Sequence, residues 1–291
     1  MFVQRFSEVT KNDVKLDSEF LGHPVSFPLL APTNPDLKHF MLHREIARHG
    51  GFGVIHLEDL DNLEMYTVDG ANGPVMVVGT DIQELPTIKR AYNAGIRMFM
   101  IEQLQPNMAM VHQMNSIRAE NPEAKVILGS FQNSIAVSEL LKHGRPDAIK
   151  VGLSSGMKDP IHGLGFEDKL YESIQDVKAV IARSGHNIPI IAEGDILEAK
   201  DILMAIHAGA SLVMMEEVSA SAEETAKEPK MSMAGPIITY KHKFFKTFQN
   251  FVPVSGPIKE EIDALKDEMR QIMSITGSQN YKAFGDKAIS K

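Results

Sequence analysis

The chain has 291 residues, 43% apolar and 23% charged. That balance suits a folded protein with an ample core and excludes disordered and collagen-like classes. It contains no cysteine, which excludes disulfides, thiolate nucleophiles and zinc–sulfur clusters, and makes a cytoplasmic location the simplest expectation. The net charge of −8 argues against duplex nucleic acid as a partner. The N-terminal segment lacks the apolar stretch of a secretory signal, and no segment reaches the roughly 18 apolar residues of a membrane helix, so no membrane partner is expected.

Along the chain, short apolar runs alternate with segments of helical period, as expected for parallel strands buried on both faces. Pro28–Ala31 reads as the first strand. Asp36–His49 follows as a helix with apolar positions Leu37, Phe40, Met41 and Ile46. Phe52–His56 and Val75–Gly79 read as strands, then Asp81–Ala94 as a helix that Asp81 can cap. Strand Met98–Glu102, helix Asn107–Ala119, strand Val126–Gly129 and helix Ser134–His143 come next. The series continues with strand Ala148–Gly152, helix Glu167–Ser184, strand Ile188–Glu193, helix Glu198–Ala208 and strand Leu212–Glu216. Gly50, Gly95, Gly144 and Gly209 stand at helix-to-strand junctions, where a left-handed closing residue is favoured.

Eight such units predict an α/β fold, the (β/α)8 TIM barrel. An open doubly wound sheet is the alternative. It usually has fewer strands and a glycine-rich first turn, which this sequence lacks.

Beyond Glu217 the rhythm changes. Ser219–Pro236 is polar and small, Tyr240–Pro257 aromatic and basic, and Ile258–Met273 a closing amphipathic helix. The expected organisation is one barrel domain over 1–291 with a flap-like excursion at 218–257. Lys241, His242, Lys243 and Lys246 alternate with Phe244, Phe245 and Phe248. They read as an amphipathic helix or a flap rather than a phosphate track.

In a barrel of this type, chemistry sits at the C-terminal ends of the strands. Those positions hold Asn34, His56, Glu102, Gln103, Ser130, Gly152, Ser154, Glu193, Gly194, Asp195, Glu216 and Glu217. The loop from Gly152 to Asp159 is rich in glycine and serine, a composition that lets backbone approach a ligand. Glu193 is placed to accept hydrogen bonds from ribose hydroxyls, whereas Asp195 reads as a helix cap for 198–208. Lys150 lies in a buried strand and is expected to neutralise Glu216 or Glu217, since an unpaired buried charge is too costly.

These segments resemble the inosine monophosphate dehydrogenase and guanosine monophosphate reductase family. The likeness rests on Gly50-Gly51-Phe52-Gly53-Val54-Ile55-His56, Val77-Val78-Gly79, Ala148-Ile149-Lys150-Val151-Gly152, Ile190-Ile191-Ala192-Glu193-Gly194-Asp195-Ile196 and Ala208-Gly209-Ala210-Ser211-Leu212-Val213-Met214-Met215. Near the C-terminus, Tyr240, Val252-Pro253 and Met273-Ser274-Ile275-Thr276-Gly277 are similar to its flap and closing helix. The regulatory CBS insert of some members is not found.

The resemblance implies a purine nucleotide ligand, a nicotinamide cofactor near Glu102 and Gln103, and a homotetramer. It also shows departures. Met157 and Asp159 stand where the family has its phosphate-binding serine and its nucleophilic cysteine. Asp195 replaces a phosphate-cradling glycine, and Glu216-Glu217 replace a Gly-Ser pair.

The expected function is therefore non-thiolate chemistry on a purine nucleoside- or nucleotide-like ligand. Asp159, Glu102 or His162 would act as acid or base. Ser130, Gly152, Ser154, Glu193, Gly194, Asp195, Glu216 and Glu217 would contact the ligand. Asp195, Glu216 and Glu217 would instead suit a divalent metal if they converged. Conventional NAD(P)-dependent purine nucleotide oxidoreduction and a non-catalytic binding or assembly subunit are the alternatives.

Overall fold

The computed structural model describes residues 2–153, 169–225, 229–233, 235–245 and 247–288. An antiparallel pair, β1 (Ser18–Phe20) and β2 (His23–Val25), precedes the barrel. The barrel strands are β3 (Leu29–Leu30), β4 (Val54–His56), β5 (Val75–Val78), β6 (Met98–Glu102), β7 (Lys125–Phe131), β8 (Ala148–Val151), β9 (Ile190–Glu193) and β10 (Ala210–Met214). Each overlaps one of the eight apolar runs, though β7 extends beyond its run to Lys125 and Phe131 and β10 begins two residues before its own. Neighbours pair in parallel from β4 through β10, and β10 pairs with β3. A parallel bridge between Leu30 and Phe52 closes the ring. The Phe52 amide donates to Leu29 O, and the Ala31 amide to Phe52 O, each at 2.9 Å.

The helices are α1 (Phe40–Arg48), α2 (Leu63–Tyr66), α3 (Leu85–Asn93), α4 (Met108–Glu120), α5 (Ser134–His143), α6 (Leu170–Arg183), α7 (Ala199–Ala208), α8 (Glu216–Ser221), α9 (Ile258–Ile275) and α10 (Tyr281–Lys287). Their inward stripes follow the helical period. In α6, Leu170, Ile174, Val177 and Ile181 are buried; in α9, Ile258, Ile262, Leu265, Met269 and Met273. Burying each such side chain contributes about 1.5–3 kcal/mol. Asp81 caps the 3-10 turn ahead of α3 by accepting from the Gln83 amide at 2.9 Å, and Asn107 caps α4 in the same way.

Three sequence expectations need correction. Asp195 does not cap α7: the N-cap is Glu198, and Asp201 takes the Leu197 and Glu198 amides. The junction glycines are left-handed at Gly50, Gly95 and Gly209, but Gly144 is extended. A side chain at Gly144 would instead press on Met114 and Val111. The basic, aromatic segment is not helical: Lys241 ends one strand, residues 242–245 and Phe248 lie in the connection to the next, and the strands on either side carry the alternation.

That segment belongs to a three-stranded antiparallel sheet of β11 (Lys230–Ser232), β12 (Gly235–Lys241) and β13 (Gln249–Pro253). Ile238, Tyr240 and Val252 on its inner side form a small core with Leu37 and Ala220. The Lys241 amide donates to Asp36 Oδ2 at 2.7 Å, and Asn34 Nδ2 donates to Lys241 O at 2.8 Å. The sheet is thereby fastened over the loop that follows β3, at the C-terminal end of the barrel. Among the described residues, no helix is long and apolar enough to cross a membrane.

Candidate functional site

Four charged side chains from distant parts of the chain meet at this end of the barrel. Glu102 ends β6, Lys150 lies in β8, Glu193 ends β9, and Lys243 reaches in from the connection between β12 and β13. The Lys150 ammonium contacts both Glu102 and Glu193. Lys243 Nζ lies 2.7 and 2.8 Å from the two Glu193 oxygens and 3.0 Å from Glu102 Oε1. Thr33 Oγ1 donates to Glu102 Oε2 at 2.6 Å, and Ser130 Oγ to Glu102 Oε1 at 3.2 Å. All four charged side chains are 5% exposed or less.

The local sequence makes room for this cluster. Gly129 pairs in register with Glu102, and a Cβ there would sit 2.7 Å from Lys150 Cβ and 3.1 Å from Lys150 Cε. Its missing side chain lets the lysine stem lie across β7. Gly152 has φ +96°, and a Cβ on it would sit 1.7 Å from Glu193 O. Gly194 is buried against Leu170, which a Cβ would approach to 2.9 Å. Both glycines thus permit close packing around Glu193.

Burial alone would raise the Glu102 carboxyl, but Lys150 and Lys243 outweigh it and hold the group well below the ordinary glutamate range. Burial pushes Lys150 well below the ordinary lysine range; Glu102 opposes that shift and Lys243 adds to it. The cluster therefore sets ionised carboxylates and amines in direct contact, shielded from solvent.

Next to it, an open cleft of ≈ 480 Å³ is lined by His56, Glu58, Val77, Gly79, Glu84 and Glu102. His56 is 6% exposed, and its Nε2 has no hydrogen-bond partner among the described residues. Burial holds His56 below its ordinary value, against the pull of Glu58.

The expected site residues distribute as follows. Glu102, Ser130 and Glu193 converge, with Gly152 and Gly194 packed beneath Glu193. Gln103 lies beside the cluster, donating to Thr80 Oγ1 at 2.9 Å and accepting from Asn107 Nδ2 at 2.7 Å. Glu216 is buried at the start of α8 and accepts from Asn34 Nδ2 at 3.2 Å, while Glu217 is half-buried and Asp195 exposed. These three acids do not converge, and no group of three or more His, Asp or Glu among the described residues is arranged to hold a metal. Lys150 neutralises Glu102 and Glu193, not Glu216 or Glu217 as the sequence suggested. Ser154, Asp159 and His162 lie outside the described residues.

Sequence reasoning missed Lys243 and Thr33 as members of the site. Thr33 had a signal, standing next to Asn34 just past the first strand. Lys243 had only its place in a basic cluster.

A family model described as the IMP dehydrogenase / GMP reductase domain matches residues 1–242. Similar curated proteins include the inosine-5′-monophosphate dehydrogenase of Aquifex aeolicus, 24% identical over 246 residues that cover 72% of this chain and 48% of that protein. The enzyme of that name from Staphylococcus epidermidis is 24% identical over 321 residues, covering 99% of this chain and 64% of its own length. The one from Methanocaldococcus jannaschii is 26% identical over 218 residues, 62% of this chain and 43% of its own. The chain thus spans 43 to 64% of the length of these relatives.

Proposed function

Because this chain belongs to the IMP dehydrogenase / GMP reductase family, we propose that its barrel mouth takes a purine nucleoside- or nucleotide-like ligand and acts on it through carboxylates and lysines rather than a thiolate. The observation that carries this reading is the convergence of Glu102, Glu193, Lys150 and Lys243 at the mouth. Glu193 is the acceptor for ribose hydroxyls. Withdrawal of Lys243 with the β12–β13 connection would open Glu193 Oε1 to the ligand, with Lys150 still held on Oε2. Glu102 and Lys150 then exchange a proton with the ligand, Glu102 as the ionised partner and Lys150 as the amine of lowered proton affinity.

Ser154, Asp159 and His162 complete the proposed contacts from the loop after β8, Asp159 and His162 as further acid–base groups. Asp195, Glu216 and Glu217 face the rest of the ligand. The assembly is proposed to be a homotetramer.

A nicotinamide cofactor, the implied partner of Glu102 and Gln103, does not fit these residues as arranged. Glu102 accepts from Thr33, Ser130, Lys150 and Lys243, and Gln103 is held by Thr80 and Asn107. Both side chains are thus engaged by partners within the protein, and no hydride step is assigned. The internal ion pairing of the cluster favours the alternative of a non-catalytic binding or assembly subunit.

Calorimetry with inosine, guanosine and their monophosphates tests the ligand class, and nicotinamide absorbance with NAD or NADPH tests the chemistry. The expected result is binding of a nucleoside without nicotinamide turnover. Turnover of the monophosphates would overturn the chemistry, and failure of all four to bind would overturn the ligand class.

A further inference from the structure

Barrel interiors are ordinarily filled by apolar layers, and four buried charges are costly compared with such packing. Here one of them is an amine with no exposure, at the C-terminal end of a barrel strand. A second amine, that of Lys243, contacts the same Glu102 and Glu193 carboxylates. Two carboxylates and two hydroxyls, from Glu102, Glu193, Thr33 and Ser130, surround the pair. Gly129 leaves space for the lysine stem, and the open cleft beside His56 reaches the cluster at Glu102.

We propose that Lys150 is an imine-forming amine, which takes the carbonyl carbon of a small hydroxylated aldehyde or ketone entering by the His56–Glu102 cleft. The inference uses the mouth of the reading above but does not need its purine.

A desolvated lysine beside a second cation is the arrangement that keeps an amine nucleophilic near neutral pH. Once the Lys150 ammonium has lost a proton to solvent through the cleft, its Nζ lone pair adds to the carbonyl carbon, and the carbonyl π pair moves to oxygen, which takes a proton from the Lys243 ammonium. The nitrogen of this carbinolamine gives a proton to a Glu102 or Glu193 carboxylate. That carboxylic acid then protonates the departing hydroxyl, which leaves as water as the C=N bond forms. Thr33 and Ser130 supply hydroxyls that orient those of the substrate. No electrons are gained or lost in these steps.

The native chain is incubated briefly with glycolaldehyde at neutral pH. Sodium borohydride then adds hydride to any imine, leaving a hydroxyethyl group on the nitrogen, and digestion with mass spectrometry maps it. Lys150 is expected to carry at least about ten times the label of an average exposed lysine. The exposed references are Lys142, Lys200 and Lys259, whose side chains are 65, 58 and 58% exposed. Label confined to exposed lysines, or on Lys243 without Lys150, would overturn the proposal.

Glu102→Gln is expected to slow labelling of Lys150 about tenfold and leave the exposed lysines unchanged. An unchanged rate at Lys150 would overturn the relay through Glu102. The map of the native chain does not depend on whether this variant folds. Calorimetry with inosine, run without borohydride, tests the purine reading separately, so one can fail while the other stands.

Discussion

Replacing Lys243 with Met removes an ammonium that contacts both Glu193 oxygens and Glu102 Oε1 at 2.7, 2.8 and 3.0 Å. Methionine keeps much of the stem's volume and flexibility, so the change is mainly one of charge. Unit charges about 3 Å apart attract by about 5 kcal/mol at an effective dielectric of about 20, and burying each ion costs several kcal/mol. The variant loses the attraction while Glu102 and Glu193, 5% and 1% exposed, keep their desolvation cost. The expected loss at neutral pH is about 3–5 kcal/mol. The charge-matched double variant Lys243→Met/Glu193→Gln removes one charge of each sign, and should recover at least about 1 kcal/mol of that loss. Urea unfolding of the three proteins measures this, with an unchanged slope confirming that only stability has moved. A loss below about 1 kcal/mol would put Lys243 in the range of an exposed surface pair and refute the argument from burial of the cluster.

Acid should weaken the fold through His43. Its Nδ1 accepts from the Val54 amide, Nε2 meets Leu37 O, and burial, reinforced by His56, pushes it down to about 3. The unfolded chain then binds the proton first, so stability is full above pH 6.5 and falls as pH drops toward 3. The total is about 4–5 kcal/mol, and urea midpoints for His43→Gln should be flatter than those of the native chain from pH 6.5 down to about 5. Glu102, held low, adds a further loss below the ordinary glutamate value of 4.5, as pH falls toward its folded value. Lys150, also held low, acts in the same direction at the other end: stability rises with pH up to 10.5, where the unfolded lysine releases its proton. Gly152→Ala should cost more than about 4 kcal/mol or leave the protein insoluble, because it combines a left-handed φ with a backbone clash on Glu193. Gly185→Ala has a similar φ of +73° and open space around it, so thermal melting should show only about 1 kcal/mol of loss.

The barrel was legible because its strands are buried on both faces, which leaves continuous apolar runs such as Met98–Glu102 and Ala148–Gly152 in the sequence. The ends of those runs located Glu102 and Glu193, and the cost of an unpaired buried charge required a partner for Lys150. The choice of partner was not legible. Lys150 was matched to the acids after the eighth strand, but a lysine in β8 reaches the carboxylates of β6 and β9 across the ring. Lys243 was hidden for a different reason. It pairs with Glu102 141 positions away and with Glu193 50 positions away, from a turn between antiparallel strands. No period within the chain records such a contact. The interleaved Lys and Phe residues of that turn imitate an amphipathic helix, while the alternation that builds the flap lies in β12 and β13 on either side.

Glu216 gives the sharpest test of ligand charge. The resemblance places Glu216-Glu217 where relatives would hold a ligand phosphate, and here Glu216 is 1% exposed and already takes a hydrogen bond from Asn34. A phosphate about 4 Å away would be repelled by about 4 kcal/mol at an effective dielectric of about 20, and burial leaves little room for screening by salt. Glu217 is half-buried and adds less. Inosine should therefore bind at least about 100-fold more tightly than inosine monophosphate, even after the structure relaxes around the charge. Glu216→Gln keeps an oxygen acceptor for Asn34 and removes the charge, so it should narrow the gap by about tenfold without weakening inosine. Calorimetry at two salt concentrations reads both numbers. Equal binding of the two ligands to the native chain would mean that the phosphate sits elsewhere, and the argument from Glu216 would fail. A gap that Glu216→Gln leaves untouched would assign the discrimination to another group.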